Sequence, residues 1–145
     1  YVLKRELLKI PFFGWGMALL NPIAIDRGAG RKALNQLVTE GTERLVRGDW
    51  VVLFPEGTRM PPGKLGKINI GGAMLAIKAK APVYVVTHNA GEFWPKNSFI
   101  KRPGVVQVYI NPPLDVAEMS ASEVNQKIEN WLVTHLENKT AEETN

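Results

Sequence analysis

The chain has 145 residues, 45% apolar and 22% charged, a balance that fits one globular domain with a real core. It has no cysteine, which excludes disulfides, thiolate chemistry and cysteine-ligated zinc, and its two histidines, His88 and His135, lack metal-ligand spacing. The net charge of +4 is uneven: residues 1–114 hold 16 Lys+Arg against 7 Asp+Glu, net +9, and residues 115–145 hold 2 against 7, net −5. The basic part suits an anionic surface or anionic substrates, and no nucleic-acid recognition motif accompanies it.

The chain opens at Tyr1, in mid-pattern, and reads as a segment of a longer protein. Residues 1–9 place Val2, Leu3, Leu7 and Leu8 among charges, which predicts a short amphipathic helix. Residues 10–20 are nearly all apolar but well short of the ~20 residues that span a bilayer. They read as a core helix, or alternatively as an interfacial segment. In that alternative Phe12, Phe13 and Trp15 meet lipid while Lys4, Arg5 and Lys9 meet headgroups. Residues 22–27 read as a short strand ending in Asp26 and Arg27. A helix over 31–47 follows, with Leu34, Leu37, Val38, Gly41 and Leu45 on one face and Gly48 as a left-handed cap.

Residues 50–54 are five apolar positions without a charge, which predicts a strand buried on both faces and stopped by Pro55. Glu56, Gly57, Thr58 and Arg59 come next: a carboxylate, a hinge, a hydroxyl and a permanent cation. Ligands of open α/β sheets bind just beyond the carboxyl ends of strands. Arg59 suits a phosphate there, because its fork donates two parallel hydrogen bonds. The plainer reading is a turn with Glu56 and Arg59 solvated. The loop 55–70 is long and carries Lys64 and Lys67. A helix over 71–80 and a strand over 82–88 complete a parallel crossover. Then come a loop, 89–103, with Trp94 and the cations Lys96, Lys101 and Arg102, and a strand over 104–110 stopped by Pro112 and Pro113. Ser120 and Glu123 make a capping box for a last helix, with Val124, Ile128, Trp131, Leu132 and Leu136 inward. Residues 139–145 are expected to fray. The fold class is α/β, a mostly parallel sheet flanked by helices.

Three segments, in order, resemble the 1-acyl-sn-glycerol-3-phosphate acyltransferases, the lysophosphatidic acid acyltransferases. Phe54-Pro55-Glu56-Gly57-Thr58-Arg59 matches the third motif of that family without a change. Ile25-Asp26-Arg27 matches the core of the second motif, and Ala81-Pro82-Val83-Tyr84-Val85-Val86 looks like the fourth. The resemblance covers about residues 1–115. Two positions depart from it: Asn69 stands where the family usually has lysine, and Val85 where it has a second proline. The family's first motif, His-x4-Asp, is absent, since Phe93 and Thr140 follow the two histidines at that spacing. It is expected before Tyr1.

The resemblance implies a glycerol-phosphate acyltransferase-like fold. Residues 1–138 would form the C-terminal portion of one acyltransferase domain. The implied reaction moves a fatty acyl group from acyl-CoA or acyl carrier protein to the sn-2 hydroxyl of the lysophospholipid, giving phosphatidic acid without a cofactor or metal. The absent His–Asp pair would be the base, and the segment alone would be inactive. Arg27 and Arg59 would hold the acceptor phosphate, with Glu56, Gly57 and Thr58 at the glycerol and Asp26, Lys64 and Lys67 as further candidates. An anionic membrane, at its cytoplasmic face, is the implied partner surface. Each has a plainer reading: Asp26 and Arg27 as a pair or a helix cap, His88 as a structural strand-end residue, His135 as packing, and the lysines as a solvated basic face. Two other functions stay open, a non-catalytic lipid- or phosphate-binding domain and an acyltransferase with another acceptor.

Overall fold

The structure is a computed structural model. It describes residues 1–142, without the side chains of Arg27 and of residues 136–142. Of the tail expected to fray at 139–145, residues 139–142 continue α5 as helix and residues 143–145 fall outside what is described, as does the side chain of the inward-facing Leu136. The order is β1 (Val2–Lys4), α1 (Phe13–Leu19), β2 (Ile23–Ile25), α2 (Arg31–Val46), α3 (Gly71–Ala79), β3 (Val86–His88), α4 (Ala90–Phe93), β4 (Val108–Ile110) and α5 (Ala121–Glu142). Short 3₁₀ turns cover Arg5–Lys9 and Arg27–Ala29.

The α/β class stands, and α3 is its hub, packed against both α2 and α5. Gly71, Ala73, Leu75 and Ala76 of α3 are buried, as suits a helix enclosed on more than one side. Leu75 joins Ile23 and Leu37 in one cluster, backed by Val2, Ile25, Leu45, Val51 and Leu53. Ala73 and Ala76 join Ile68, Val85, Val116, Val124, Ile128 and Leu132 in the other. The helices α2 and α3 meet closely at Gly41, where a Cβ would lie 2.6 Å from Leu75 Cδ2.

Helix ends follow the sequence. Gly48, at φ 87°, donates its N–H to the Leu45 carbonyl, and the Asp49 N–H reaches the Arg44 carbonyl. Those two bonds make a Schellman cap. At the start of α5 the Ser120 N–H donates to Glu123 Oε2 at 2.7 Å and the Glu123 N–H donates to Ser120 Oγ at 3.3 Å, the expected capping box.

The strands differ more from expectation. Residues 2–4, expected in a helix, form β1 and pair parallel with β2, Val2 opposite Ile23. Tertiary pairing outweighs the local pattern there. The run 50–54 makes no ladder; it is tied to β1 by the Val2 N–H donating to the Val52 carbonyl at 2.9 Å. Val51 and Leu53 pack inward, but Trp50, Val52 and Phe54 are 78%, 53% and 69% exposed. The expected burial on both faces is thus corrected to one face among the described residues. β3 and β4 pair antiparallel, Val86 opposite Ile110, and pairing resumes at Val83 and Leu114. Pro112 and Pro113 lack N–H groups, which accounts for the break. The recorded ladders are therefore one parallel and one antiparallel, and no ladder joins 50–54 to 82–88 among the described residues.

Helix α1 also departs from the core reading. Gly14 is its buried residue, whereas Phe12, Phe13, Trp15, Leu19 and Leu20 are all exposed. No helix among the described residues is long and apolar enough to cross a membrane.

Candidate active site

The chain turns sharply after Phe54. Gly57, at φ 70°, donates its N–H to the Phe54 carbonyl at 3.0 Å, a conformation that a residue with a Cβ adopts at a cost. The loop that follows is closed at its neck. The Pro55 carbonyl accepts from the Asn69 N–H at 3.0 Å and from Asn69 Nδ2 at 2.7 Å. Inside the loop the half-buried Glu56 accepts the Gly66 N–H on Oε2 at 2.8 Å. The result is a latched loop of the compact surface kind that often carries function. Asn69, unusual against the family pattern, is the latch. Neither this bond nor the Glu56–Gly66 bond was legible from spacing, because each joins residues ten or more positions apart.

Thr58 and Arg59 face outward from this loop and are exposed. The Arg59 guanidinium lies 5.9 Å from the centre of the Trp94 ring, and Lys101 Nζ lies 4.3 Å from the same ring. Lys96 Nζ donates to Thr58 Oγ1 at 3.5 Å. Three cations thus gather around one indole and one hydroxyl. None of the three makes an ion pair among the described residues, where the pairs are Lys4–Glu6 and Arg47–Asp49. Cations gathered without an ion-pair partner repel each other, and an anionic ligand relieves that. Lys64 and Lys67 are exposed on the latched loop.

The other candidates separate. Asp26 caps the 3₁₀ turn that follows β2, its Oδ1 accepting the Gly28 N–H at 2.9 Å, in line with the plainer reading. Arg27 begins that turn, and its side chain lies outside the described set. His88 accepts the Ala90 N–H on Nδ1 at 3.3 Å. His135 Nδ1 donates to the Trp131 carbonyl at 2.9 Å, its ring 3.9 Å from that of Trp131 and 5.8 Å from that of Tyr109. Both histidines are engaged in local structure. No group of three or more His, Asp or Glu suited to a metal occurs among the described residues. A cleft of about 330 Å³, lined by Tyr1, Asn21, Arg44, Asp49 and Trp50 among others, opens at the other end of the 50–54 run. It holds none of the candidate residues.

The FPEGTR loop is thus latched at the end of an apolar run and rimmed by cations. Residues 1–89 match the acyltransferase family model, and the chain belongs to that family. It is 50% identical over 134 residues to the 1-acyl-sn-glycerol-3-phosphate acyltransferase of Pseudomonas aeruginosa, a match covering 90% of this chain and 52% of that protein. It is 30% identical to the chloroplastic 1-acyl-sn-glycerol-3-phosphate acyltransferase LPAT1 of Arabidopsis thaliana, over 88% of this chain and 37% of that one. The crystal structure of the 1-acyl-sn-glycerophosphate (LPA) acyltransferase PlsC from Thermotoga maritima superposes with a TM-score of 0.79 at 30% identity, covering 97% of this chain and 56% of that one. The chain spans about half the length of the bacterial relatives it matches.

Proposed function

We propose that the full-length protein transfers a fatty acyl group from a thioester donor, acyl-CoA or acyl carrier protein, to the sn-2 hydroxyl of 1-acyl-glycerol 3-phosphate, giving phosphatidic acid. The observation that supports this most is the latched 55–69 loop with Arg59 at its cationic rim, in a chain half identical to a protein of that name. In this reading residues 1–138 are the C-terminal portion of one acyltransferase domain and supply the acceptor site. Arg59, with Arg27, binds the acceptor phosphate. Glu56 is fixed by Gly66 and orients the glycerol, while Gly57 and Thr58 shape the approach and Asp26, Lys64 and Lys67 line its edge. A His–Asp pair outside these residues takes the hydroxyl proton, and the hydroxyl attacks the thioester directly. Ester formation balances thioester cleavage, and the thiol leaves with the proton. No cofactor or metal enters. Holding both substrates in line contributes on the order of 7–11 kcal/mol in favourable cases.

The acceptor lives in a bilayer, so the reading places the protein on an anionic membrane at its cytoplasmic face. The exposed Phe12, Phe13 and Trp15 of the α1 region and the net +9 of residues 1–114 support it. The test is product formation by purified full-length protein. Donors are acyl-CoA and acyl carrier protein; acceptors are lysophosphatidic acid, glycerol 3-phosphate and a phosphate-free lysolipid. Phosphatidic acid from lysophosphatidic acid is the expected product. Equal use of the phosphate-free acceptor would overturn the phosphate-site reading.

A further inference from the structure

The loop 94–102 lends Trp94, Lys96 and Lys101 to the rim of the candidate site, but its apolar tip has no part there. We propose that this loop is a docking element that seats the candidate site on an anionic lipid surface.

Its tip is apolar and uncovered. Phe99 is fully exposed at 102%, Ile100 is 73% exposed, and Trp94 is 48% exposed at the base. Exposed apolar residues taken singly need no explanation. Here, however, the backbone is built to hold them outward. The Trp94 indole N–H donates to the Ser98 carbonyl at 2.8 Å, and the Ser98 N–H donates to the Pro95 carbonyl at 3.2 Å. Ser98 Oγ accepts the Ile100 N–H at 3.2 Å and donates to the Ile100 carbonyl at 3.0 Å. The Arg102 N–H donates to the Phe93 carbonyl at 2.8 Å and closes the base. A loop this thoroughly braced has a preferred shape, and that shape keeps Phe99 in solvent.

Charge selects the partner. Lys96, Lys101 and Arg102 flank the tip, and no Asp or Glu occurs from residue 93 to residue 114. Lys101 lies over the Trp94 ring at 4.3 Å. An apolar tip, cations behind it and an indole between them match the layers of a bilayer surface: acyl chains, headgroup phosphates and the boundary region. A protein partner fits less well, because lysine is depleted at protein interfaces. The loop also touches the candidate site, through Lys96 to Thr58 and through Trp94 to Arg59. Docking it would bring that site to the level where lipid phosphates lie. This purpose rests on the proposed function; the lipid binding itself does not.

The experiment uses full-length protein carrying Phe99→Cys, with any cysteine outside these 145 residues replaced by serine, labelled with an environment-sensitive dye. Vesicles are phosphatidylcholine with or without phosphatidylglycerol. The expected result is a brighter, blue-shifted signal with phosphatidylglycerol that salt reverses, since the Debye length is about 8 Å at physiological ionic strength. In unlabelled protein, the pair Phe99→Ser and Ile100→Ser should lower vesicle affinity roughly tenfold or more. Lys101→Ala should lower it about fivefold. The serine pair should leave turnover of monodisperse lysophospholipid unchanged. A dye signal unmoved by vesicles overturns the proposal, as does equal binding to both vesicle types. A dye already shielded without vesicles also overturns it, and points to a protein contact. Lipid binding through the loop by a protein without acyltransferase activity would sink the proposed function alone; activity without loop insertion would sink the docking alone.

Discussion

Arg59 and Glu56 share one loop but differ in surroundings, and the difference predicts different kinetics. Arg59 is exposed at the cationic rim, beside the Trp94 ring. A phosphate far from the reacting hydroxyl is held about equally in ground and transition states, so its loss removes uniform binding. In full-length enzyme Arg59→Ala should raise KM for the lysophospholipid roughly ten- to a hundredfold, the size of a charge-assisted hydrogen bond of about 1.5–3 kcal/mol. The thioester KM should hardly move. Arg59→Lys should rescue in part, because an ammonium makes no bidentate contact. Glu56 is half-buried and holds the Gly66 N–H at 2.8 Å, so its carboxylate is fixed before any ligand arrives. Glu56→Gln keeps the shape and weakens the acceptor, and it should lower kcat more than it raises KM. Steady-state kinetics with both substrates varied separates these outcomes. A change confined to the thioester KM in Arg59→Ala would mean that the loop reads the donor.

Helix ends carried their own signals in the sequence; the strands at 23–25, 86–88 and 108–110 fell inside expected strands, but strand pairing did not announce itself. The Schellman cap at Gly48 and the capping box at Ser120 are local, so residue types at fixed spacing were enough to place them. Strand pairing is not local: the pairing of Val2–Lys4 with Ile23–Ile25 joins segments about twenty residues apart, and nothing within residues 1–9 announces it. The Asn69 latch on Pro55 was hidden for the same reason, although the FPEGTR motif it closes was plain. Two predictions belong to elements. At Gly41 a side chain would meet Leu75, which is 3% exposed and cannot swing away. Gly41→Leu should destabilise by about 1–3 kcal/mol in denaturant unfolding, overpacking outweighing the roughly 1 kcal/mol of helix propensity it gains. The exposed Thr39→Ala on the same helix should stay within about 0.5 kcal/mol. At the start of α5 the backbone and then the hydroxyl of Ser120 hold the Glu123 carboxyl below its ordinary value of 4.5, with Lys127 adding a smaller pull. A depressed carboxylate stabilises the fold above the unfolded value and loses that contribution as pH falls through the folded one. The Glu123 titration by NMR should therefore sit below 4.5 in the parent and move back up in Ser120→Ala. The stability gap between the parent and Glu123→Gln should close in acid.

The molecule as a whole shows what an apolar run means when only one side of it is covered. Trp50 to Phe54 reads as a strand between two layers, and its inner positions Val51 and Leu53 do meet the core. Its outer positions Trp50, Val52 and Phe54 stay exposed, and so do Tyr84, Val86 and Ile110. Trp50 and Tyr84 touch, ring centres 5.9 Å apart, so the uncovered positions adjoin one another. The chemistry is distributed in the same way. In the proposed reading the cations around Arg59 and the Glu56 carboxylate held by the Gly66 N–H are binding equipment. The two histidines are committed elsewhere, His88 to the Ala90 N–H and His135 to the Trp131 carbonyl. Neither is followed by an aspartate at the spacing of the family's base motif. A polypeptide of residues 1–145 should therefore form no measurable phosphatidic acid from acyl-CoA and lysophosphatidic acid. Losing a general base costs about 10²–10⁴-fold, and poorer alignment of the two substrates adds to that. The same polypeptide should still bind lysophosphatidic acid in preference to a phosphate-free lysolipid, and Arg59→Ala should cut that preference roughly ten- to a hundredfold. Binding by calorimetry and turnover by product analysis test the two halves separately. Turnover above background would place the base within these 145 residues and return His88 and His135 to the catalytic question.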